Sequence, residues 1–172
     1  RIIGNKTPHF LSMTATPIPR TLALALYGEL DISLIKEKPK GRKIILTKVV
    51  AEHVRDKAYA FVRGELDKGR QAFVVCPLID SSDVLEVPSV EEVAAMLKEG
   101  PFKNYCVEIV HGKMSSKEKE KVMQKMIDGE THILVSTSVI EVGVDVPNAT
   151  VMMIEGGERF GLAQLHQLRG RV

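Results

Sequence analysis

Residues 106–136 read CVEIVHGKMSSKEKEKVMQKMIDGETHILVS. The apolar runs at 106–110 and 132–136 have the length of buried strands, and the residues between them have the spacing of one amphipathic helix. Ser115, followed three residues later by Glu118, is a capping-box pattern that begins this helix, and Gly129 suits its C-terminal end. The stretch is therefore predicted to be a strand–helix–strand unit.

The same alternation continues on both sides of this unit. Further strands are predicted at 44–50, 71–76 and 150–154, and further helices after the first two of them and at 160–168. Ser89 with Glu92 forms a second capping box, and the helix that follows 44–50 is predicted to bury Val54, Ala58, Phe61, Val62 and Leu66. Such a pattern predicts an α/β fold, with a mainly parallel sheet flanked by helices.

A sheet of this kind indicates where to look for a site, because its ligands bind beyond the carboxyl ends of the strands. The loops in that place are 77–79, 111–113, 137–147 and 155–159. Of these, the stretch 135–147, VSTSVIEVGVDVP, is the most informative. Thr137 could donate to a phosphate, Gly143 allows close backbone approach, and Asp145 could accept from a ribose. On these residues alone, a purely structural polar turn fits equally well.

The stretch 155–172, EGGERFGLAQLHQLRGRV, is the second candidate. Arg169 and Arg171 flank Gly170 close to Gln167, and a guanidinium presents a planar charge that suits a phosphate. Isolated arginines are more often solvated surface, so this stretch alone does not establish a site.

Composition excludes several classes of protein. The net charge of +2 is far from that of a strongly basic nucleic-acid binder, so any DNA contact must be local. No apolar run approaches the roughly 18 residues of a membrane span. Cys76 and Cys106 lie in predicted strands and are expected to be buried, reduced thiols, as in a cytoplasmic protein. No Cys/His spacing indicates a metal site.

Taken together, four short motifs resemble those of superfamily 2 helicases and occur in that family's order. They are Thr14-Ala15-Thr16 (the third motif), His111-Gly112 (the element between the fourth and fifth), Thr137 with Gly143 and Asp145 (the fifth), and Gln167 with Gly170 and Arg171 (the start of the sixth). The runs 14–22, 140–149 and 159–172 resemble the form shared by RecG-type helicases and the transcription–repair coupling factors (Mfd), while 27–33 and 75–79 favour the RecG type.

The resemblance implies the second motor domain of an ATP-dependent DNA helicase that remodels stalled replication forks and branched DNA. The nearest alternative is the motor domain of a transcription–repair coupling factor, which acts on RNA polymerase. A non-enzymatic alternative is a stand-alone nucleic-acid-binding α/β module. The implied fold is the RecA-like, P-loop NTPase-like one, with residues 1–38 as the tail of a first such domain and the linker, and 39–172 as the second domain, ending within the sixth motif.

In that family ATP, with Mg²⁺, binds between two RecA-like domains, of which the first supplies the phosphate loop and the metal ligands. Neither pattern occurs in this sequence, so the chain alone is expected to be inactive, with no metal ligands of its own. The implied roles are an arginine finger (Arg171), nucleotide contacts (Gly143, Asp145, Gln167, Gly170), DNA contacts (Thr137, Gly112, His111) and coupling (Thr14, Ala15, Thr16). The implied partners are DNA, ATP and the first motor domain, and no membrane is among them. The implied location is the bacterial cytoplasm, in association with the nucleoid.

Overall fold

The computed structural model describes residues 44–77, 89–137 and 146–172, together with the single positions 11, 13, 33 and 35. The chain divides into two compact units, Arg1–Arg42 and Lys43–Val172. The elements of the second unit are, in chain order, a 3-10 turn (Glu52–Val54), α1 (Arg55–Leu66), β1 (Gln71–Cys76), α2 (Val90–Glu99), β2 (Val107–Val110), α3 (Ser116–Ile127), β3 (Ile133–Thr137), β4 (Ala149–Ile154), a second 3-10 turn (Gly157–Arg159) and α4 (Leu162–Arg169).

The four strands form one sheet in the order β2-β3-β1-β4, and every neighbouring pair is parallel. The register pairs Cys76 with Thr137 and Val75 with Ile154, so the carboxyl ends of the strands lie together at one edge. The predicted α/β fold with a parallel sheet is confirmed. Because β1 is central, it is fully buried along its length, whereas β4 is mostly half-buried.

Among the described residues, two helices cover each face of the sheet. Side chains alternate between faces along a strand, so Ala72, Val74 and Cys76 pack with α1 and α2, whereas Phe73 and Val75 face the other side, toward α3 and α4. Phe102, just after α2, is fully buried in the first of these two cores. The first face carries one apolar cluster and the second carries two, around Phe73 and around Val75. Apolar packing on both faces is expected for a sheet buried on two sides.

The predicted helix ends are confirmed. Ser89 and Ser115 each accept a hydrogen bond from the backbone N–H three residues later, and Glu92 and Glu118 accept from the backbone N–H of those serines. Each such cap stabilises its helix by about 1 kcal/mol. Gly129 ends α3 with a φ of +80°, a left-handed backbone conformation that favours glycine.

The strand predicted at 44–50 is wrong. The segment has no regular secondary structure, and among the described residues no strand pairs with it. Ile44, Leu46 and Val49 are more than four-fifths exposed, so the apolar residues that predicted a strand bury no face against this sheet. β-propensity alone does not hold a strand without a partner that completes its hydrogen-bond ladder.

The predictions that Phe61 and Cys106 are buried are also wrong. Phe61 is 63% exposed, and Tyr59 occupies the core in its place at 6%. At about 100° per residue, Phe61 lies about 100° round the helix from Val62, outside the face that packs on the sheet, whereas Tyr59 lies about 60° from it. Cys106 is exposed because it precedes β2, whereas Cys76 is buried as predicted.

Candidate functional site

The carboxyl end of β1 lies where the chain connections diverge. From β1 the chain continues to α2 on one face, whereas from β4 it continues to α4 on the opposite face. Because β1 pairs with β3 on one side and β4 on the other, Cys76 at its end lies between Thr137 and Glu155, and Pro77 follows it. Divergent connections of this kind leave a crevice at the strand ends, which is the usual ligand site of open parallel sheets.

The loop that follows β4 folds over the end of β1. The Glu155 N–H donates to the Val75 carbonyl at 2.9 Å, which continues the pairing of β4 with β1. Gly156 then adopts a φ of +59°, and a Cβ at this position would lie 3.3 Å from Cγ of Pro77. This glycine is therefore required both by the left-handed backbone and by the close approach to Pro77.

One ion pair ties this loop to α1. The Arg55 guanidinium contacts the Glu155 carboxylate and also donates from Nε to the Tyr59 hydroxyl. Burial lowers the pKa of Arg55, but the hydrogen bonds to Tyr59 and Glu155 outweigh it and raise that pKa above its usual value. Nearby, burial and the charge of Glu155 raise the pKa of the Cys76 thiol to about 12, so the thiol stays protonated and unreactive.

The helix α4 brings Gln167, Gly170 and Arg171 together at its C-terminal end. The Gly170 N–H donates to the carbonyls of His166 and Gln167, and the Arg171 N–H donates to the Leu168 carbonyl at 3.0 Å. Arg171 is half-buried. Leu168 is the one fully buried residue of the helix and packs with Phe160 against Val75, so α4 rests on the sheet through a small contact.

Thr137, at the end of β3, holds a buried polar group. Its side chain is 6% exposed, and its Oγ1 has no hydrogen-bond partner among the described residues. An unpaired buried hydroxyl is unfavourable by about 1–3 kcal/mol, so such groups in native structures usually have a partner or a function.

His111 and Gly112, at the end of β2, lie beside Thr137, because Val110 pairs with Ser136 in the register. His111 Nε2 is 3.4 Å from Oε1 of Glu91, the second residue of α2. The backbone N–H of Glu91, with Ser89 and the charges of His111 and Lys113, holds the pKa of this carboxyl below its usual value. Gly112 is exposed, and its carbonyl accepts from Lys119 Nζ at 3.0 Å.

The described candidates therefore form two groups. Those at the ends of β2 and β3 are His111, Gly112 and Thr137, and those at or just after the C-terminal end of α4, which packs on β1, are Gln167, Gly170 and Arg171. Thr14, Ala15, Thr16, Gly143 and Asp145 lie outside the described residues.

The described residues offer phosphate-binding groups rather than metal ligands. Within 44–77, 89–137 and 146–172, no three His, Cys, Asp or Glu side chains come together in a way that could hold a metal ion. Arginines before and after α4, Arg159 and Arg171, carry the type of group that binds phosphate oxygens. None of the helices in the described ranges has the length and apolar character needed to span a membrane.

Sequence reasoning missed Arg55, Tyr59 and Glu155. Glu155 directly follows a predicted strand, which was a signal that it lies at the ligand-binding edge. Arg55 had no such signal, because it is 100 residues away along the chain and precedes any motif of the second unit. Only the packing of α1 against the sheet brings the two residues together.

Comparison with known proteins gives a consistent result. The profile of the helicase conserved C-terminal domain matches residues 53–172. The chain is 52% identical to the ATP-dependent DNA helicase RecG of Synechocystis sp. over 98% of its length, and 52% identical to RecG of Bacillus subtilis over 96%. A solved structure of RecG bound to a three-way DNA junction is 50% identical and superimposes with a TM-score of 0.72 over 92% of the chain.

These relatives are much longer proteins. The chain spans 20% of the Synechocystis protein, 24% of the Bacillus protein and 20% of the chain in the solved structure. The similarity thus concerns one domain and its immediate surroundings.

Proposed function

The chain belongs to the helicase conserved C-terminal domain family, and from that premise we propose that it is the second motor domain of a RecG-like, ATP-dependent DNA helicase. In this proposal the helicase activity belongs to the longer protein, because the phosphate loop and the acidic box of an ATPase do not occur in the 172 residues. Residues 1–38 are then the tail of the first motor domain and the linker, and 39–172 the second domain.

The observation that carries this proposal is the arrangement around the end of β1. Thr137 presents a buried hydroxyl at the carboxyl end of β3, and α4, which packs on the neighbouring β1 through Leu168, is followed by Gly170 and Arg171. Two such groups on one domain suit a motor, because a rigid-body movement of the domain then shifts its nucleotide and DNA contacts together.

The nucleotide in this proposal is ATP, bound with Mg²⁺ whose ligands come from the first motor domain. ATP supplies the phosphoryl group whose transfer to water drives the motor. Arg171 is assigned to the charge that develops on that group, since a positioned arginine stabilises it strongly. Gln167 and Gly170 shape the same turn, and Gly143 and Asp145 are assigned to the nucleotide. Thr14, Ala15 and Thr16 are assigned to coupling the two domains.

The DNA-contacting group is proposed to be Thr137, Gly112 and His111. Thr137 ends β3, and His111 and Gly112 follow β2 at the same edge of the sheet. Hydroxyl and backbone N–H groups are common donors to phosphates. The solved relative is bound to a three-way junction, which favours branched DNA as the substrate. We further propose that the longer protein acts in DNA repair and recombination, in the bacterial cytoplasm at the nucleoid.

A chimeric protein tests the proposal directly. If this chain replaces its counterpart in RecG of Bacillus subtilis, with which it is 52% identical, we expect ATP hydrolysis that depends on branched DNA. The 172-residue chain alone is expected to show no ATP hydrolysis, because the ATP site is formed between two motor domains. The measurement is phosphate release with and without a three-way junction. A well-folded chimera without DNA-dependent hydrolysis would refute the proposed function.

Thr137→Val in that chimera is expected to weaken junction binding. Removal of a hydrogen bond to a charged phosphate costs about 1.5–3 kcal/mol, which is roughly a tenfold to hundredfold change in Kd. Thr131→Val is the matched control, because this hydroxyl is also buried without a partner among the described residues but precedes β3 at the opposite edge. Equal affinities of the two variants at two salt concentrations would remove Thr137 from the DNA-contacting group.

A further inference from the structure

The position of α4 depends on the loop that precedes it and, at its other end, on a hydrogen bond from Arg169 to the Ile45 carbonyl and on the packing of Val172. The helix has eight residues, of which only Leu168 is fully buried, and Leu165 is half-buried. So small an apolar contact stabilises an orientation weakly. The loop, in contrast, is held at three points: the Glu155 N–H on Val75, Gly156 against Pro77, and the buried ring of Phe160.

Arg55 adds a fourth point of attachment, from a different part of the fold. Its contact with Glu155 joins residues 100 positions apart, the largest separation among the ion pairs of the described residues. The pair therefore links α1, on one face of the sheet, to the loop that leads to α4 on the other.

The arginine is itself held in place. Tyr59 accepts a hydrogen bond from Arg55 Nε, and its ring centroid lies 5.5 Å from the guanidinium carbon. Tyr59 is 6% exposed, and its ring packs edge-on against the buried Phe102 with centroids 5.4 Å apart. A guanidinium fixed on a buried ring has lost most of its rotamer freedom, so it constrains its carboxylate partner better than a mobile surface cation would.

We propose that Arg55 is a positioning residue for the ATPase reaction: by holding Glu155, it fixes the loop from which α4 starts and thereby the placement of Arg171. This inference rests on the proposed function, because it assigns Arg55 a role only through Arg171. Arg55 acts on the nucleotide through the loop and the helix rather than by contact. Its loss leaves Leu168 and Phe160 in the core but releases the end of β4 from α1.

The test uses the chimera described above, with Arg55→Met, which removes the charge and keeps an unbranched apolar chain over Tyr59. We expect kcat for DNA-dependent ATP hydrolysis to fall about tenfold while KM for ATP changes less than roughly twofold, because small misplacement of a catalytic group lowers turnover more than binding. Lys125→Met is the matched control. It breaks the Lys125–Glu108 pair, whose side chains are 37% and 27% exposed against 38% and 20% for Arg55 and Glu155. We expect its kcat to be unchanged.

A charge exchange separates positioning from simple loss of stability. The double variant Arg55→Glu/Glu155→Arg is expected to recover several-fold more kcat than Glu155→Arg alone, with both proteins shown to be folded by circular dichroism at the assay temperature. An unchanged kcat in Arg55→Met, or an exchange no better than the single variant, would overturn the inference. Both outcomes require that the parent chimera is active. An inactive parent chimera would instead overturn the proposed function.

Discussion

Arg171→Ala in the chimeric helicase is expected to reduce DNA-dependent ATP hydrolysis about a thousandfold or more, the usual contribution of an arginine that stabilises a transferring phosphoryl group. Arg171 lies two residues after α4 and is half-buried, and its backbone N–H donates to the Leu168 carbonyl at 3.0 Å, so the helix end holds its backbone before any nucleotide is present. Affinity for ATP should change far less, because the charge that the arginine stabilises develops in the transition state. Single-turnover hydrolysis and binding of a fluorescent ATP analogue measure the two effects separately.

Arg63→Ala provides the control for this prediction. Arg63 is also a half-buried arginine, but it lies on α1 and donates to the Pro101 carbonyl at 3.2 Å, near the start of the turn after α2. Its removal should leave turnover near that of the parent chimera. Turnover within a few-fold of the parent in Arg171→Ala would mean that this arginine does not act on the phosphoryl group.

Phe102→Ala is expected to lower the free energy of unfolding of the 172-residue chain by about 3–5 kcal/mol, the usual cost of removing a buried phenylalanine ring. Phe102 has no exposed surface, and its ring packs edge-on against both Tyr59 and Tyr105, with centroids 5.4 and 6.2 Å apart. The loss therefore removes both the burial of the ring and two aromatic contacts. Urea unfolding followed by circular dichroism gives the difference.

Phe61→Ala is the companion measurement, because Phe61 is 63% exposed on α1. Its replacement should change the free energy of unfolding by no more than about 0.5 kcal/mol, as for most surface substitutions. Comparable losses in the two variants would show that the outer surface of α1 packs against something in solution, and that the assignment of the core to Phe102 is incomplete.

Much of the fold follows from local patterns in the chain. The capping boxes at Ser89 and Ser115 and the left-handed Gly129 were predictable, because each depends on residues within one or two helical turns. The strands around 71–76, 106–110, 132–136 and 150–154 were predictable for a similar reason, since a buried parallel strand is a continuous apolar run. The motif residues at the strand ends followed from the same reading and from the resemblance to helicases.

Local patterns failed where a second segment determines the outcome. The run 44–50 has the composition of a strand but no partner in the described sheet, and strand formation requires one. Phe61 and Tyr59 are both aromatic and two residues apart, and only the direction from which the sheet meets α1 selects Tyr59 for the core.

The sequence alone was sufficient to determine the α/β class, the helix ends and the family, because these depend on periodicity and on short motifs. The tertiary structure alone determined the strand order that places Thr137 and Glu155 on either side of Cys76, and the contact between Arg55 and Glu155. The physical reason is distance along the chain. Propensities and caps act over a few residues, whereas a contact across 100 residues exists only after the sheet has formed and a helix has packed on it.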